Sequence, residues 1–534
     1  MVLRPLRPLL ALLILAAPLG AHAQTAETDA LASRDGLARA GVSAAEGDDL
    51  FVAAVPCVSG FAGSYACNRI DLLTRMPLSM FTPSAPASAN EIWGWTDPVT
   101  GKEIALVGLS NGVGFVDVTA PEAPLYLGKL PSATSDDNSW RTFRVHQNVV
   151  YVGSEASGHG IQYFDLTRLR GVTAPQAFTA NGRYTGVSRT HTLVINEQTG
   201  YLYAVGTNTC GGGPHMLDIR MPLAPAFAGC VGSDGYTHEA QALVYDGPDA
   251  QYVGRELLVM YQGEGSAQTG GQVSFFDVTN KAAPRRISTV LYPNPGYSHQ
   301  GWFTADRRHL LVNDEFDRSA PGSRTIVLDV ADLDSPGFAF NYNSAKRTFA
   351  HNLYVVGRYA YSSNYTSGLR IVDVQNVVRG GFQEVASFDT YQQSDSYSYN
   401  GQWMNYPFFA SGTIVASDIQ NGLFVLRPTG LNPVAAEPTA PSGSGLARGG
   451  LALGAPAPNP TASEARLRLT TAAPQRVRAV LVDVLGREVA VLFDGTADGT
   501  TDLVVRRGSL PAGTYVVRAA GERGAAARPL VIAR

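Results

Sequence analysis

Four histidines, His191, His238, His299 and His351, stand a few tens of residues apart, each opening a short run of strand-like alternation. If those runs are equivalent strands set around one axis, the four imidazoles meet near one end of it. Arg141 and Gly401 hold the corresponding place in two further runs. The strand after each run returns to the same end, where the sequence offers Glu155, Asn208, Glu264, Asp314, Glu315, Asn364 and Asp418. Neutral imidazole nitrogen with carboxylate oxygen suits zinc, manganese or iron. The ligand set predicted for such a divalent metal is His191, His238, His299, His351, Glu264 and Glu315. A metal there would polarise a carbonyl or activate water, with Glu239 or Glu264 as general base. The competing reading has each imidazole hydrogen-bonding a neighbouring backbone or acid and fixing strand register. The spacing matches no established metal motif, so both readings stand at this point.

Other chemistry-bearing residues carry less. His146, His159, His215 and His309 fall off the register and read as ordinary strand or loop histidines. Gly108-Leu-Ser110-Asn-Gly112 has the G-x-S-x-G form, but no helix follows it to make the strained turn a nucleophile needs. Trp93, Trp95, Trp302 and Trp403 read as packing residues, and one near a mouth would be able to stack on a sugar.

The elements that must position these residues repeat. An apolar strand ending in Asp recurs at Asp117, Asp165, Asp218, Asp277, Asp329 and Asp373, and a seventh copy, GLFVLRP, has Arg427 in that place. A second alternating run precedes most copies, and a third precedes that, separated by Gly, Asn and Asp turns with no helical period between them. This is the unit of a β-propeller, and a β-solenoid is the weaker alternative. The last copy ends at Pro428, whereas a strand-like segment, IDLLTRMPLSMF from Ile70, precedes the first unit. That segment is expected to complete the seventh blade and remove an exposed edge. The predicted fold is therefore all-β: a seven-bladed propeller closed by an N-terminal strand, then a linker and a small Ig-like β-sandwich.

Arg4 and Arg7, the apolar run from Leu9 to Leu19 and Ala21-His-Ala23 make residues 1–23 a signal peptide. The run is too short to cross a bilayer comfortably, and no other stretch is apolar enough, so no transmembrane segment is expected once the signal is removed. Residues 24–51 are expected to be poorly ordered, 52–428 to form the propeller, 429–457 a Pro/Ala/Gly/Ser-rich linker, and 458–534 the sandwich. Export puts the four cysteines in an oxidising compartment, and two local disulfides are expected, Cys57 with Cys67 and Cys210 with Cys230. A net charge of −4 without a basic block excludes nucleic acid as a partner.

Residues 52–428 resemble the choice-of-anchor B family of LVIVD-repeat propellers, through EIWGWTD at Glu91, GHGIQYFDLTRLRG at Gly158, INEQTGYLYAVGT at Ile195, YTHEAQALVYDGPD at Tyr236, YSHQGWFTAD at Tyr297 and FAHNLYVVGRYAYSSNYTSGLRIVDV at Phe349. In similar family members an Asp follows the residues matching Arg141 and His238, where this chain has Thr142 and Glu239. The C-terminal part resembles the type A sorting domain of the type IX secretion system, through PNPT at Pro458, VLVDVLGREV at Val480, LPAGTYVVR at Leu510 and PLVIAR. These resemblances imply an extracellular or outer-surface protein that meets the type IX machinery through its C-terminal domain. The expected function is a binding module for a protein or glycan; the alternative is a metal-dependent hydrolase or lyase.

Overall fold

The computed structural model describes residues 54–135, 137–263, 271–317 and 322–431 and, in the C-terminal part, 451–454, 456, 461–483, 488–508, 510–521 and 524–533. The signal peptide, the 24–51 segment, most of the linker, Glu264, all of the PNPT string but Thr461, and the Leu485-Gly486 turn lie outside the described residues. The chain divides into two units, residues 1–435 and 436–534.

Antiparallel strands dominate the larger unit. They form seven sheets built on four-strand meanders, each opening with one of seven first strands: Ala89–Thr96, Arg141–His146, Thr192–Asn196, Glu239–Val244, Ser298–Phe303, Leu353–Val356 and Gln402–Tyr406. Each first strand lies against the first strand of the next sheet, and Gln402–Tyr406 lies against Ala89–Thr96. Seven apolar clusters follow the same order, each shared by two successive sheets. Leu202 and Ala204 pack toward the second sheet, while Tyr203 and Val205 pack toward the fourth. Because both faces are buried, such strands are apolar at nearly every position, and polar residues retreat to their ends. One cluster joins Val415, Leu423 and Val425 of the seventh sheet to Ile92, Ala105 and Val107 of the first.

The recurrent Asp has a local cause. Asp117, Asp165, Asp218, Asp277, Asp329 and Asp373 each end the third strand of a sheet, and each accepts the N–H two residues on, at 2.9–3.1 Å. This Asx-type bond stops the strand and starts the turn into the fourth. Ile70–Met76 pairs antiparallel with Gly422–Pro428, so the N-terminal strand completes the seventh sheet as expected.

Both expected disulfides form, Cys57–Cys67 and Cys210–Cys230. The first ties Cys57 to a hairpin, Phe61–Ala62 and Tyr65–Asn68, which pairs with the sixth sheet through Cys67 opposite Phe388, an addition the sequence does not announce. In the smaller unit the described strands join one hydrogen-bonded sheet. The stretches ARLRLTT and RVRAVLVDV belong to a single strand, Glu464–Asp483, whose register shifts between Thr471 and Gln475. An irregularity of this kind bends a strand without ending it, so the chain turns with no loop signal. Ala465, Leu467, Val477, Leu481, Val517 and Leu530 share its core.

Candidate metal centre

The register of the sheets brings the four histidines together. His191 and His238 immediately precede their first strands, His299 lies within Ser298–Phe303, and His351 sits two residues before Leu353. Neighbouring first strands therefore set the rings in a row, with centroids 4.0, 4.5 and 4.3 Å apart from His191 through His238 and His299 to His351. His299 is the extra residue of a bulge, since Ser298 pairs with Asp314 and Gln300 with Asn313. Bulges re-aim side chains, and here the device turns an imidazole into the row.

The ring nitrogens are sorted by their partners. His351 donates its Nδ1–H to the Trp403 carbonyl at 2.6 Å, which leaves Nε2 of the neutral ring as an acceptor. His191 turns Nδ1 to Glu155 Oε1 at 2.5 Å, and His238 turns Nδ1 to the Tyr297 and Tyr236 hydroxyls at 2.8 and 3.2 Å. The Nε2 atoms face inward: those of His191 and His238 are 3.1 Å apart. His299 Nε2 is 3.7 Å from Glu315 Oε2, and His351 Nε2 is 4.0 Å from Glu315 Oε1. Ligand atoms of His238, His299 and Glu315 all lie within 4.8 Å of one another, and all three residues are buried. Tyr365 donates its hydroxyl to Glu315 at 2.7 Å. Outward Nδ1 bonds that fix ring orientation while Nε2 converges on a carboxylate are what a histidine metal site requires.

The other expected residues divide. Glu155 and Glu315 reach the row; Glu264 lies outside the described residues. Asp314, beside Glu315, instead accepts the N–H groups of Gly296 and Tyr297, both at 2.7 Å, and the Tyr292 hydroxyl at 3.0 Å. Burial raises its carboxyl above the ordinary range. Asn208 caps the N–H of Ser188, Asn364 accepts from Ser362, and Asp418 accepts from Gln420 and Asn421. Arg141 spends its guanidinium on the carbonyls of Leu109 and Ser110 and on His159 Nε2 at 3.0 Å. Burial, then the Arg141 charge, pushes His159 down to about 4, so it stands neutral. His215 bonds Tyr184 and Thr209, and burial lowers His146, His215 and His309. Ser110 lies in the turn between Glu103–Leu109 and Gly112–Asp117 and accepts the Ala87 N–H, with no base beside it among the described residues.

Glu239 lines a small pocket with Arg141, His191, His299, His351 and Trp403, and burial raises its carboxyl against the opposing charges of Arg144 and His191. Sequence reasoning missed the tyrosines behind the row. The signal was there as Tyr-x-His, at Tyr236-Thr-His238 and again at Tyr297-Ser-His299.

No family model and no curated protein matches the chain. Among solved structures, a protein from Lactobacillus plantarum is similar at 13% identity and TM-score 0.40, over 78% of this chain and 99% of that one. A hypothetical selenium-binding protein from Sulfolobus tokodaii is similar at 10% identity and TM-score 0.40, over 60% and 87%. The computationally designed Ika8 protein is similar at 9% identity and TM-score 0.38, over 63% and 82%. Likeness at this level carries no argument about this chain, and the reading of the site rests on its own geometry.

Proposed function

We propose that the larger unit is an exported seven-bladed β-propeller of the choice-of-anchor B type whose histidine-lined end binds a divalent transition metal and serves as a binding module. One observation carries the metal reading: three rings hold Nδ1 against outer partners while the Nε2 atoms of the row and the Glu315 carboxylate converge. Closure into a propeller is supported by the contact of the seventh first strand with the first, and by the apolar cluster those two sheets share. Export is supported by the N-terminal signal pattern and by two disulfides, which suit an oxidising compartment. Delivery by the type IX machinery, and an Ig-like character for the C-terminal unit, rest on the sequence resemblance. The hydrolase or lyase reading gains one supporting feature, the raised Glu239 carboxyl on the wall of the same pocket, suited to a general base.

Metal analysis of the purified full chain tests the proposal, followed by titration of the chelator-stripped protein with Zn²⁺ and Mn²⁺. One equivalent per chain, lost in His238→Ala and His299→Ala with folding retained, is the expected result. A folded protein that takes up neither ion overturns the metal reading. Turnover lost in Glu239→Gln at unchanged metal content would move the assignment from binding module to enzyme.

A further inference from the structure

The first strands carry a second constellation at their far ends. A cavity of about 670 Å³ opens there, within the range of roughly 300–1,000 Å³ typical of small-molecule sites. Its floor is aromatic: Trp93, Trp302, Tyr354, Tyr406 and Phe408 touch edge to face or at a tilt, with centroids 5.1–6.3 Å apart. Four of these are only half-buried, Tyr354 being the exception, so ring surface remains turned to the cavity.

Both arginines of the polar wall are paired. Arg144 is paired with Glu91 and stacked on Trp93, 4.2 Å from the ring centroid, and Arg307 is paired with Asp246 at 3.0 Å. Two further carboxyls line the wall, Glu197 exposed at the rim and Glu239 buried. Asn196, 4% exposed, lines the cavity, and its side-chain nitrogen has no hydrogen-bond partner among the described residues. A buried amide left unpaired costs free energy that a ligand acceptor would recover.

We infer that this cavity binds a neutral saccharide, its apolar ring face laid on Trp93 and Trp302 and its hydroxyls taken by Asn196, Gln198 and Glu197. The chemistry selects the class. Flat aromatic surface beside planar amide and carboxyl groups matches a ligand with one C–H face and a rim of hydroxyls. With both arginines paired and two further carboxyls on the wall, the cavity offers nothing to a phosphate, which would need a net positive field.

The test titrates the full chain with linear hexamers of glucose, xylose, mannose and N-acetylglucosamine, read by tryptophan fluorescence and calorimetry. At least one is expected to bind, with affinity falling about tenfold or more in Asn196→Ala and in Trp302→Ala, a loss of about 1.4 kcal/mol or more. Trp302 also packs on Tyr354, so Gln198→Ala, at the exposed rim, gives a second variant that leaves the floor intact and is likewise expected to weaken binding. His238→Ala is expected to leave saccharide affinity unchanged, and Asn196→Ala to leave metal content unchanged, so the two sites fail separately. The inference is overturned if no hexamer binds, if binding survives Asn196→Ala and Gln198→Ala, or if only an anionic sugar or tetramethylammonium binds.

Discussion

Lys281, one of only four lysines in the chain, is buried, and the structure fixes what its removal should cost. Its Nζ lies 2.7 Å from Glu256 Oε2 and 3.9 Å from the centroid of the Tyr201 ring, with the two charged side chains only 6% and 5% exposed. Glu256 Oε1 accepts the Tyr203 hydroxyl at 2.6 Å and the Thr199 hydroxyl at 2.8 Å. The network ties the third sheet to the fourth. Lys281→Met keeps the aliphatic volume but strands a buried carboxylate, which should cost about 3–5 kcal/mol. Glu256→Gln added to it removes the stranded charge, while the amide oxygen still accepts from both hydroxyls. The double variant should therefore recover about 1–3 kcal/mol relative to Lys281→Met alone. All 5 tryptophans lie in the larger unit, so their fluorescence during guanidinium unfolding of the full chain reports on that unit without the other. If the double variant is as unstable as Lys281→Met or worse, stranded charge is not what the pair guards against, and the reasoning fails.

Burial raises the Asp418 carboxyl from 3.8 to about 6, against the N–H groups of Gln420 and Asn421 that favour its charged form. The native state thus holds a proton that the unfolded chain releases; the stability involved is fully present below about pH 4 and is lost as pH rises through 6, roughly 3 kcal/mol for a shift of this size. Asp418→Asn should flatten that stretch of the pH–stability profile measured by urea unfolding, and an unchanged slope would count against the assignment. Leu72, 1% exposed, lies in the strand that completes the seventh sheet. Leu72→Ala should cost about 2–5 kcal/mol and speed amide exchange at residues 423–426 ahead of the other sheets; uniform exchange would mean that this strand does not hold the seventh sheet together.

The repeat was legible because the same turn chemistry recurs six times: an Asp stands wherever a third strand must stop and bond the N–H two residues on. The strand Ile70–Met76 that completes the seventh sheet was legible for a related reason, since a sheet short of one strand at the C-terminus needs an alternating segment from elsewhere in the chain. The Phe61–Asn68 hairpin was not, because its two strands of two and four residues carry no period and their pairing depends on Phe388, far along the chain. Among the acids, register alone proposed seven polar candidates around the histidines, and side-chain reach chose between them. Glu315 has the extra methylene to meet the row, whereas its neighbour Asp314 is captured by two backbone N–H groups. Of the aromatic floor the sequence singled out only Trp93 and Trp302, among four tryptophans read as packing residues; Tyr354, Tyr406 and Phe408 look like core residues until the cavity against them is seen.

The two candidate sites are built on the same strands, which makes their independence a question with a measurable answer. His299 and Trp302 are three residues apart, as are His351 and Tyr354, and Trp403 and Tyr406. At about 3.3 Å of rise per residue, the centres lie on the order of 10 Å apart along the strand. Glu239 lines both cavities, and the strands between the centres are cross-linked by Gln300, which bonds both backbone groups of Leu353 at 2.9 Å. Coupling requires an element with two arrangements that both ligands bias, and nothing in this stretch offers one among the described residues. Saccharide affinity measured with Zn²⁺ present and after chelation should therefore agree within about twofold, an interaction below roughly 0.5 kcal/mol. A tenfold reciprocal change would mean that the bulge at His299 is such an element, slipping register when the metal leaves and carrying Trp302 with it.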